Sequence, residues 1–276
     1  MKIFKTITVA SLLLGSALFL EGYRENRQLD KSYYEINSLN ATKQKEDIKI
    51  AHISDTQFPR LRVEKNKILN ALTNEKPDLI FFTGDTIDRT EDITKSEFPL
   101  FLKKLTEIAP TYVVSGNHET SHPDYKKWLA IVKQSNATYL ENEALEVKVN
   151  NQMVNIIGLK ESSAAIPTSE KDKLNPKLET FVLAHHPEKI NEYSKELAPF
   201  NFTVFSGHAH GGQIVLPLVG GVLSPNQGFL PEYTDGVYQY EKNQLIVSRG
   251  LANSSFPSRI NNYPHLIFAT FSTKKK

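Results

Sequence analysis

Residues 79–85 read Leu-Ile-Phe-Phe-Thr-Gly-Asp, an apolar run that ends in a Gly-Asp turn. A continuous apolar run of this length is typical of a strand that is buried on both faces of a sheet. The same plan recurs along the chain, where further apolar runs end in Ser-Asp at 54–55, Gly-Asn-His at 116–118, His-His at 185–186 and Gly-His-Ala-His at 207–210. The repetition indicates several buried strands that each deliver polar side chains at one end.

Segments with helical spacing lie between these strands. Apolar residues recur at helical intervals within residues 61–74, 98–108 and 125–134. Residues 144–159 instead alternate between apolar and polar residues around an Asn-Asn pair, which predicts a hairpin. Short strand-like stretches separated by Gly and Pro fill the remainder of the chain. We therefore predict a single α/β domain with a layered sheet core over residues 47–272.

The composition excludes several classes of protein. Among 276 residues the chain has 33 Lys and Arg against 31 Asp and Glu, a formal charge of +2, and no cysteine. A balanced charge gives no footprint for nucleic acid over the whole surface, so no nucleic-acid partner is expected. The absence of cysteine excludes a disulfide scaffold, a thiolate nucleophile and a cysteine-ligated metal. Any metal must be held by histidine, carboxylate or amide side chains, which makes the eight histidines the most informative residues.

The first 24 residues predict a signal peptide or a short membrane anchor. Two lysines precede an apolar run from Ile7 to Leu20, which is shorter than the roughly twenty residues that a bilayer-spanning helix needs. An ordinary N-terminal helix packed on the domain is the alternative. Residues 25–46 are mostly polar and predict a tether. We therefore expect a chain that is held at a cell membrane by its N-terminal segment or exported to the extracytoplasmic side.

The polar residues at the strand ends predict a metal site. In α/β sheets the carboxyl ends of the strands form the edge at which ligands bind. Aspartate, asparagine and histidine offer oxygen and imidazole nitrogen, the ligand set suited to divalent metals such as Mn, Fe and Zn. A Gly-Asp turn, a Gly-Asn-His turn and a Gly-His-Ala-His-Gly-Gly turn occur in this order, each after an apolar run, and together they are a specific signal.

The ordered motifs resemble those of the calcineurin-like metallophosphoesterase superfamily. The series is S-D-T-Q, G-D-T-I-D, G-N-H-E, A-H-H-P and G-H-A-H, and the ending G-H-A-H-G-G-Q with a later V-S-R-G-L looks like the bacterial YkuE/YaeI-type branch. The resemblance covers nearly everything after residue 46. It implies an α/β fold of two packed mixed β-sheets, a β-sandwich, flanked by α-helices. It also implies two divalent metal ions and cleavage of phosphomonoesters or phosphodiesters by a dimetal-bound hydroxide.

The resemblance implies a role for each motif residue. Asp55 would bind the first metal, Asp85 would bridge both metals, and His210 would complete the first site. His118 would contact the phosphoryl oxygen or protonate the leaving group. The ligands of the second metal would be Asn117, His185 and His208. His185 is preferred to His186 because the family ligand directly follows the strand.

Gln57 departs from the family pattern, which usually has histidine at this position. A carboxamide oxygen can ligate a metal, but it is a weaker partner than imidazole for zinc or iron. Among Mn, Fe and Zn we therefore expect Mn to be favoured. The glutamine at this position also motivates an alternative hypothesis, that the chain is a metal-binding accessory protein with impaired catalysis.

The substrate remains open at this level. A membrane or cell-envelope phosphoester is the first expectation, and a lipid-linked pyrophosphatase or phosphodiesterase is a second enzymatic hypothesis. Arg249 and Arg259 match family positions near the end of the domain and could contact substrate phosphate, although structural ion pairs are equally consistent with them. His186 and Glu119 are expected to support the site rather than to ligate.

Overall fold

Two six-stranded mixed sheets form the framework of the chain. The computed structural model describes residues 15–16, 19–40, 46–253 and 258–272. In spatial order the first sheet contains β1 (Asp30–Asn37), β16 (His265–Ser272), β2 (Ile48–Ile53), β3 (Leu79–Thr83), β4 (Thr111–Val114) and β5 (Thr138–Tyr139). The second contains β14 (Gly236–Tyr240), β15 (Asn243–Val247), β9 (Thr203–Ser206), β8 (Thr180–Leu183), β7 (Gln152–Gly158) and β6 (Glu143–Val149).

Besides the two large sheets, the described residues contain two small strand pairs and, after β2, six α-helices. The antiparallel pairs are β10 (Val215–Leu216) with β11 (Gly220–Gly221), and β12 (Leu223–Ser224) with β13 (Gly228–Phe229). The helices are α1 (Lys65–Glu75), α2 (Phe98–Ile108), α3 (Asn117–Thr120), α4 (Tyr125–Gln134), α5 (Thr168–Lys171) and α6 (Ile190–Glu196). Residues 19–25 are also helical.

The two faces of β3 show how the layers are built. Ile80 and Phe82 point into the core shared with α1, α2 and α4, whereas Leu79 and Phe81 point into the core between the two sheets. The ring of Phe81 meets that of Phe205 from the second sheet edge-to-face, with centroids 5.0 Å apart. A strand buried on both faces needs apolar side chains at every position, which is why its sequence does not alternate. The predicted layered α/β sandwich is confirmed.

The parallel strands set the position of the polar loops. Strands β2 to β5 run parallel in the first sheet, and β7, β8, β9 and β15 run parallel in the second. The carboxyl ends of parallel neighbours lie at the same edge of a sheet. The loops after β2, β3 and β4 therefore share one rim, and those after β8 and β9 share another.

Most predicted elements occur within a few residues of their expected bounds. Helices α2 and α4 have the predicted limits, and the hairpin of β6 and β7 turns at Asn150 and Asn151. The helix predicted from residue 61 begins only at Lys65, because Glu64 has an extended backbone and Leu61 reaches the core from outside the helix.

Part of the segment that we predicted as a polar tether is instead the edge strand β1. Its residues pair in parallel register with the whole of β16, from Asp30 opposite His265 to Asn37 opposite Ser272. Ile36 is buried, and Tyr34 packs on the same core between the sheets. An edge strand with one solvated face needs few apolar residues, so the polar composition of residues 25–46 concealed it.

The predicted leader at residues 1–24 lies largely outside the described residues. Within the part of the chain that the structure describes, no helix is long and apolar enough to cross a membrane.

Candidate metal centre

The ligand-type side chains all follow strand ends. Asp55 and Asp85 come two residues after the last residues of β2 and β3, and His185 and His208 come two residues after those of β8 and β9. Asn117 begins the short helix α3 after β4. The two rims meet here, because side chains from both sheets are in contact. All but Asn117 are buried.

The first group brings together Asp55, Asp85 and His210. One ligand atom from each lies within 4.8 Å of the other two, and His210 Nε2 is 3.5 Å from an Asp55 carboxylate oxygen. Gln57 lies in the same group, with its Nε2 3.2 Å from Asp85 Oδ2 and 3.3 Å from His210 Nε2. Its Oε1 is buried and has no hydrogen-bond partner. The structure thus places Gln57 where the sequence predicted a first-site ligand.

The second group contains Asp85, His185 and His208, again within 4.8 Å. His185 Nε2 is 3.4 Å from Asp85 Oδ2, 3.2 Å from Asn117 Oδ1 and 3.2 Å from His208 Nδ1. His185 Nδ1 donates a hydrogen bond to the carbonyl of Thr83 at 2.8 Å, which leaves Nε2 as the atom available to a cation. The two groups share Asp85, the residue for which the family resemblance implies a bridging role.

The backbone of the site is held in an unusual conformation. Asp55, Gln57, Asp85, His208 and His210 all have positive φ, between 39° and 64°. Residues other than glycine rarely adopt this region, at a cost of about 1 kcal/mol or more each. Such strain persists only where the surrounding structure enforces it, and it is concentrated at functional sites.

Two glycines allow the strained loops to approach one another. A Cβ atom on Gly116 would lie 2.3 Å from Asp85 Oδ1, and one on Gly207 would lie 2.2 Å from Asp55 Oδ2. Glu119 connects the same loops, because its carboxylate accepts hydrogen bonds from the backbone N–H groups of Asp85, Ile87 and Gly116. Glu119 therefore has the supporting position expected for it.

The charges of the site suit a cation. Burial raises the pKa of Asp55 to about 6. Burial also opposes the charge of Asp85, but His185 and the other donors around it hold the pKa of Asp85 well below its usual range. Burial lowers the pKa of His185, and the Asp85 carboxylate reverses this effect and raises it to about 10. Burial lowers the pKa of both His208 and His210, which leaves these imidazoles neutral, the form that binds metals.

These observations test the fit of divalent metals. Within the described residues, the ion pairs of Asp55 and Asp85 involve only the histidines His118, His185 and His210. Two buried carboxylates without a lysine or arginine partner are costly unless something else compensates their charge. The buried amide oxygen of Gln57 likewise has no donor. Oxygen and imidazole ligands that converge in this way fit divalent cations.

His118 lies beside the two groups. Its Nδ1 is 3.1 Å from Asp88 Oδ2, and its Nε2 is 3.8 Å from Asp85 Oδ2. Asp88 also pairs with Arg60 at 3.1 Å. Burial lowers the pKa of His118, and the carboxylates of Asp85 and Asp88 oppose this shift. The backbone N–H of Arg89 donates a hydrogen bond to His118 Nδ1 at 3.3 Å, so Asp88 contributes a nearby negative charge and the Arg89 N–H orients the ring.

Glu161, Glu188 and Asn226 lie near the site and were not predicted from the sequence. His186 Nδ1 is 3.0 Å from Glu188 and its Nε2 is 3.0 Å from Glu161. His186, Glu188 and His208 also form a third group whose ligand atoms lie within 4.8 Å of one another. Asn226 Nδ2 lies 3.1 Å from His208 Nε2 and donates to Glu188 at 3.1 Å. Asn226 and Glu161 belong to irregular segments with no motif, so the sequence offered no signal for them.

The side chains of Arg249 and Arg259 contact other parts of the fold and not the ligand groups. Arg259 is buried, and its guanidinium donates to the backbone carbonyls of Arg249, Gly250 and Ala252 and to two asparagine side chains. Arg249 pairs with Asp30 and Asp235. These contacts agree with the structural ion pairs that we left open for the two arginines. They use the guanidinium groups within the fold and do not direct them to the metal centre.

The comparison with protein families agrees with this geometry. The sequence pattern of the calcineurin-like phosphoesterase family matches residues 48–212. This chain is a member of that family. The matched part of this phosphoesterase begins at β2 and ends two residues after His210, so it includes every predicted ligand.

Named bacterial relatives resemble this phosphoesterase over most of its length. Metallophosphoesterase YkuE of Bacillus subtilis is 27% identical over 98% of this chain and 95% of its own. Phosphodiesterase YaeI of Escherichia coli is 29% identical over 79% of this chain and 80% of its own. The UDP-2,3-diacylglucosamine pyrophosphatase LpxG of Chlamydia muridarum is 27% identical over 74% and 78%. The predicted family and its bacterial branch are confirmed.

Proposed function

We propose that the chain hydrolyses phosphomonoesters or phosphodiesters with the help of two divalent cations. The observation that carries the proposal is the pair of ligand groups that share Asp85, because a shared carboxylate is what two neighbouring cations require. Asp55, Gln57 and His210 would complete one cation site. Asn117, His185 and His208 would complete the other, and Mn²⁺ is the favoured metal because of the Gln57 amide.

The protein groups would position the substrate and move a proton. Cations held at the two groups would neutralise the negative charge of the phosphate and lower the pKa of a water molecule toward neutrality. His118 Nε2 faces the same space as Asp85, and the backbone N–H of Arg89 donates a hydrogen bond to Nδ1, which places the ring proton of the neutral imidazole on Nε2. In this orientation His118 can donate a proton to the oxygen of the leaving group. Because the chain has no net basic surface, phosphate affinity would be local to this site.

The test is hydrolysis of p-nitrophenyl phosphate and bis-p-nitrophenyl phosphate with Mn²⁺. We expect Asp85→Asn to abolish turnover, since both groups lose their common carboxylate. The exposed Asp172, at the end of α5, provides the matched Asp172→Asn control, which should retain activity. Equal turnover in Asp85→Asn protein would refute the proposal. Elemental analysis adds a second criterion, because a metal content below about one ion per chain would contradict a two-cation site.

A lipid-linked pyrophosphate or phosphodiester is the second candidate substrate. LpxG, whose name describes a UDP-2,3-diacylglucosamine pyrophosphatase, is similar over most of this chain. Several large apolar side chains are exposed in the segment that follows the last predicted ligand, including Leu218 and Phe229. Such a substrate would fit a chain held at a bacterial cell membrane or exported across it. Preference for a lipid-linked pyrophosphate over bis-p-nitrophenyl phosphate would favour this candidate.

The accessory-protein alternative depends on Gln57. If the purified chain binds two metal ions and turns over none of these substrates, impaired catalysis is the better explanation. If Gln57→His protein gains activity from an inactive parent, the same conclusion follows.

A further inference from the structure

An uncharged apolar segment follows the metal centre in the chain. Residues 214–231 contain no Asp, Glu, Lys, Arg or His. They form the two small strand pairs β10–β11 and β12–β13. Leu218, between β10 and β11, is fully exposed, and Phe229 is 72% exposed. The other exposed apolar side chains of the segment are Leu216, Val219, Leu223 and Leu230. We call residues 214–231 the apolar insert.

The apolar insert borders the metal centre. Its first strand pair adjoins Gly212, whose carbonyl accepts hydrogen bonds from Ile214 and Val222. Its second strand pair carries Asn226, which lies 3.1 Å from His208 Nε2. In β12–β13, Leu223 is paired with Phe229. The two strand pairs that carry the exposed apolar side chains are therefore attached directly to the site.

The described end of the N-terminal helix packs beside the apolar insert. Ile260 pairs with Ile214, and its carbonyl accepts a hydrogen bond from Val215. The same short stretch meets the helix of residues 19–25. Gly22 is so close to Ser258 that an added Cβ would lie 2.8 Å from it, and Glu25 accepts a hydrogen bond from Asn262 N. The helix and the insert thus flank one segment of chain, residues 258–262.

The N-terminal helix adds exposed apolar residues of its own. Phe19 and Leu20 are 62% and 66% exposed, and Tyr23 is about half exposed. Phe19 and Leu20 end the apolar run that begins at Ile7 in the sequence. Exposed apolar patches mark interaction sites. Because residues 7–18 are also mostly apolar, they favour the same apolar environment as the exposed Phe19 and Leu20.

We propose that the apolar insert, together with Phe19, Leu20 and Tyr23, inserts into the surface of a lipid bilayer and holds the metal centre beside it. A bilayer is favoured over a charged protein or nucleic acid because the insert offers no ionic group. Interfacial binding through aliphatic and aromatic side chains requires none. The docking itself is independent of catalysis, and only its use, presentation of a membrane phosphoester to the site, rests on the proposed function.

The absence of cysteine allows a direct test on the full chain. Leu218→Cys labelled with an environment-sensitive fluorophore should shift to shorter wavelength on vesicles of phosphatidylethanolamine and phosphatidylglycerol. It should also be quenched by lipids that carry a quencher in the acyl chain. The control is Leu100→Cys, because Leu100 is also an exposed leucine, at 60%, and lies on helix α2 outside the apolar insert. The same shift should occur on phosphatidylcholine vesicles and at high salt, since no charge is involved.

Each outcome bears on the docking surface. No shift at position 218, or equal shifts at positions 218 and 100, overturns the proposal. A shift that depends on protein concentration without vesicles assigns the surface to a second copy of the chain and also overturns it. The double variant Leu218→Ser, Phe229→Ser should lower vesicle affinity at least about tenfold, since each side chain removes apolar area from water.

A catalytic variant separates the two proposals. Leu218→Cys in an Asp85→Asn background should retain the fluorescence shift although hydrolysis is lost. A shift in Leu218→Cys protein with an intact metal centre that hydrolyses no phosphoester would refute the proposed function and leave the docking surface intact. Active protein without a shift would refute the docking surface and leave the proposed function intact.

Discussion

Replacing Asp55 with asparagine should stabilise the chain in a chelator and destabilise it relative to wild type when Mn²⁺ is present. Asp55 is fully buried beside Asp85, and burial raises its pKa from 3.8 to about 6. The folded state thus binds the proton more tightly than the unfolded state does. The stability that protonation gives is complete below pH 3.8 and is lost as the pH rises through about 6.

The magnitude follows from the difference between the two pKa values. A difference of roughly two pKa units, at about 1.4 kcal/mol per unit, makes the ionised Asp55 cost about 3 kcal/mol at neutral pH. Asparagine keeps an oxygen that can accept the hydrogen bond from the backbone N–H of His208, which lies 3.2 Å from the present carboxylate. It removes the charge without removing the contact. The Asn variant should therefore recover most of this free energy of unfolding in chelator.

Urea unfolding from pH 4 to pH 8 measures the effect. In chelator the stability of the wild type should fall across this range relative to that of Asp55→Asn, until the variant is more stable by about 3 kcal/mol at neutral pH. Saturating Mn²⁺ should reverse the order, because binding to the folded state stabilises only a chain whose ligand set is intact. Asp172→Asn should follow the wild type in both conditions.

Two results would refute this reasoning. If Asp55→Asn is less stable than the wild type in chelator at neutral pH, the carboxylate is not a source of instability in the metal-free site. If Mn²⁺ stabilises the variant as much as the wild type, Asp55 does not ligate.

Three further perturbations test other parts of the site. Gln57→His should increase affinity for Zn²⁺ at least about tenfold, because imidazole is the better zinc ligand; a calorimetric titration that finds unchanged affinity would remove Gln57 from the first group. His118→Asn should slow cleavage of alkyl esters by roughly a hundredfold and affect p-nitrophenyl esters much less, since p-nitrophenolate leaves without a proton; equal losses with both leaving groups would argue against proton donation, and metal content should not change. Gly116→Ala should lower the free energy of unfolding by about 2 kcal/mol and weaken Mn²⁺ binding, because the new Cβ would lie 2.3 Å from Asp85 Oδ1; native stability and affinity would contradict the close approach of the two loops.

The fold was predictable where burial leaves a pattern in the sequence. Strand β3 is apolar from Leu79 to Phe82 because both of its faces are covered, and α2 buries apolar residues along one face for the same physical reason. The edge strand β1 was missed, although Tyr34 and Ile36 do alternate with exposed residues. Its partner β16 lies more than two hundred residues away, and a polar edge strand cannot be distinguished from a linker without that partner.

The site was predictable to the extent that strand ends determine it. Asp55 and Asp85 follow neighbouring strands of the first sheet and His185 follows a strand of the second, so strand order and the packing of the two sheets bring them together. Asn226 lies eighteen residues along the chain from His208, and its contact depends on the path of residues 214–226, which contain no motif. The sequence likewise does not tell whether an arginine such as Arg259 faces the substrate or the backbone, because both uses require the same guanidinium.

The metal centre is built at the expense of the stability of the metal-free chain. Positive φ at Asp55, Asp85 and His208 costs about 1 kcal/mol or more per residue, and the ionised Asp55 adds its own penalty. The large sandwich core can tolerate these costs, and cation binding to the folded state would offset them. A cation must also displace the proton that Asp85 stabilises on His185, whose pKa is raised to about 10. The stability that this proton gives the metal-free fold is complete below pH 6.5 and is lost as the pH rises through about 10. Metal affinity should increase with pH over this range, so the stability of the chain depends increasingly on the bound cation toward alkaline pH.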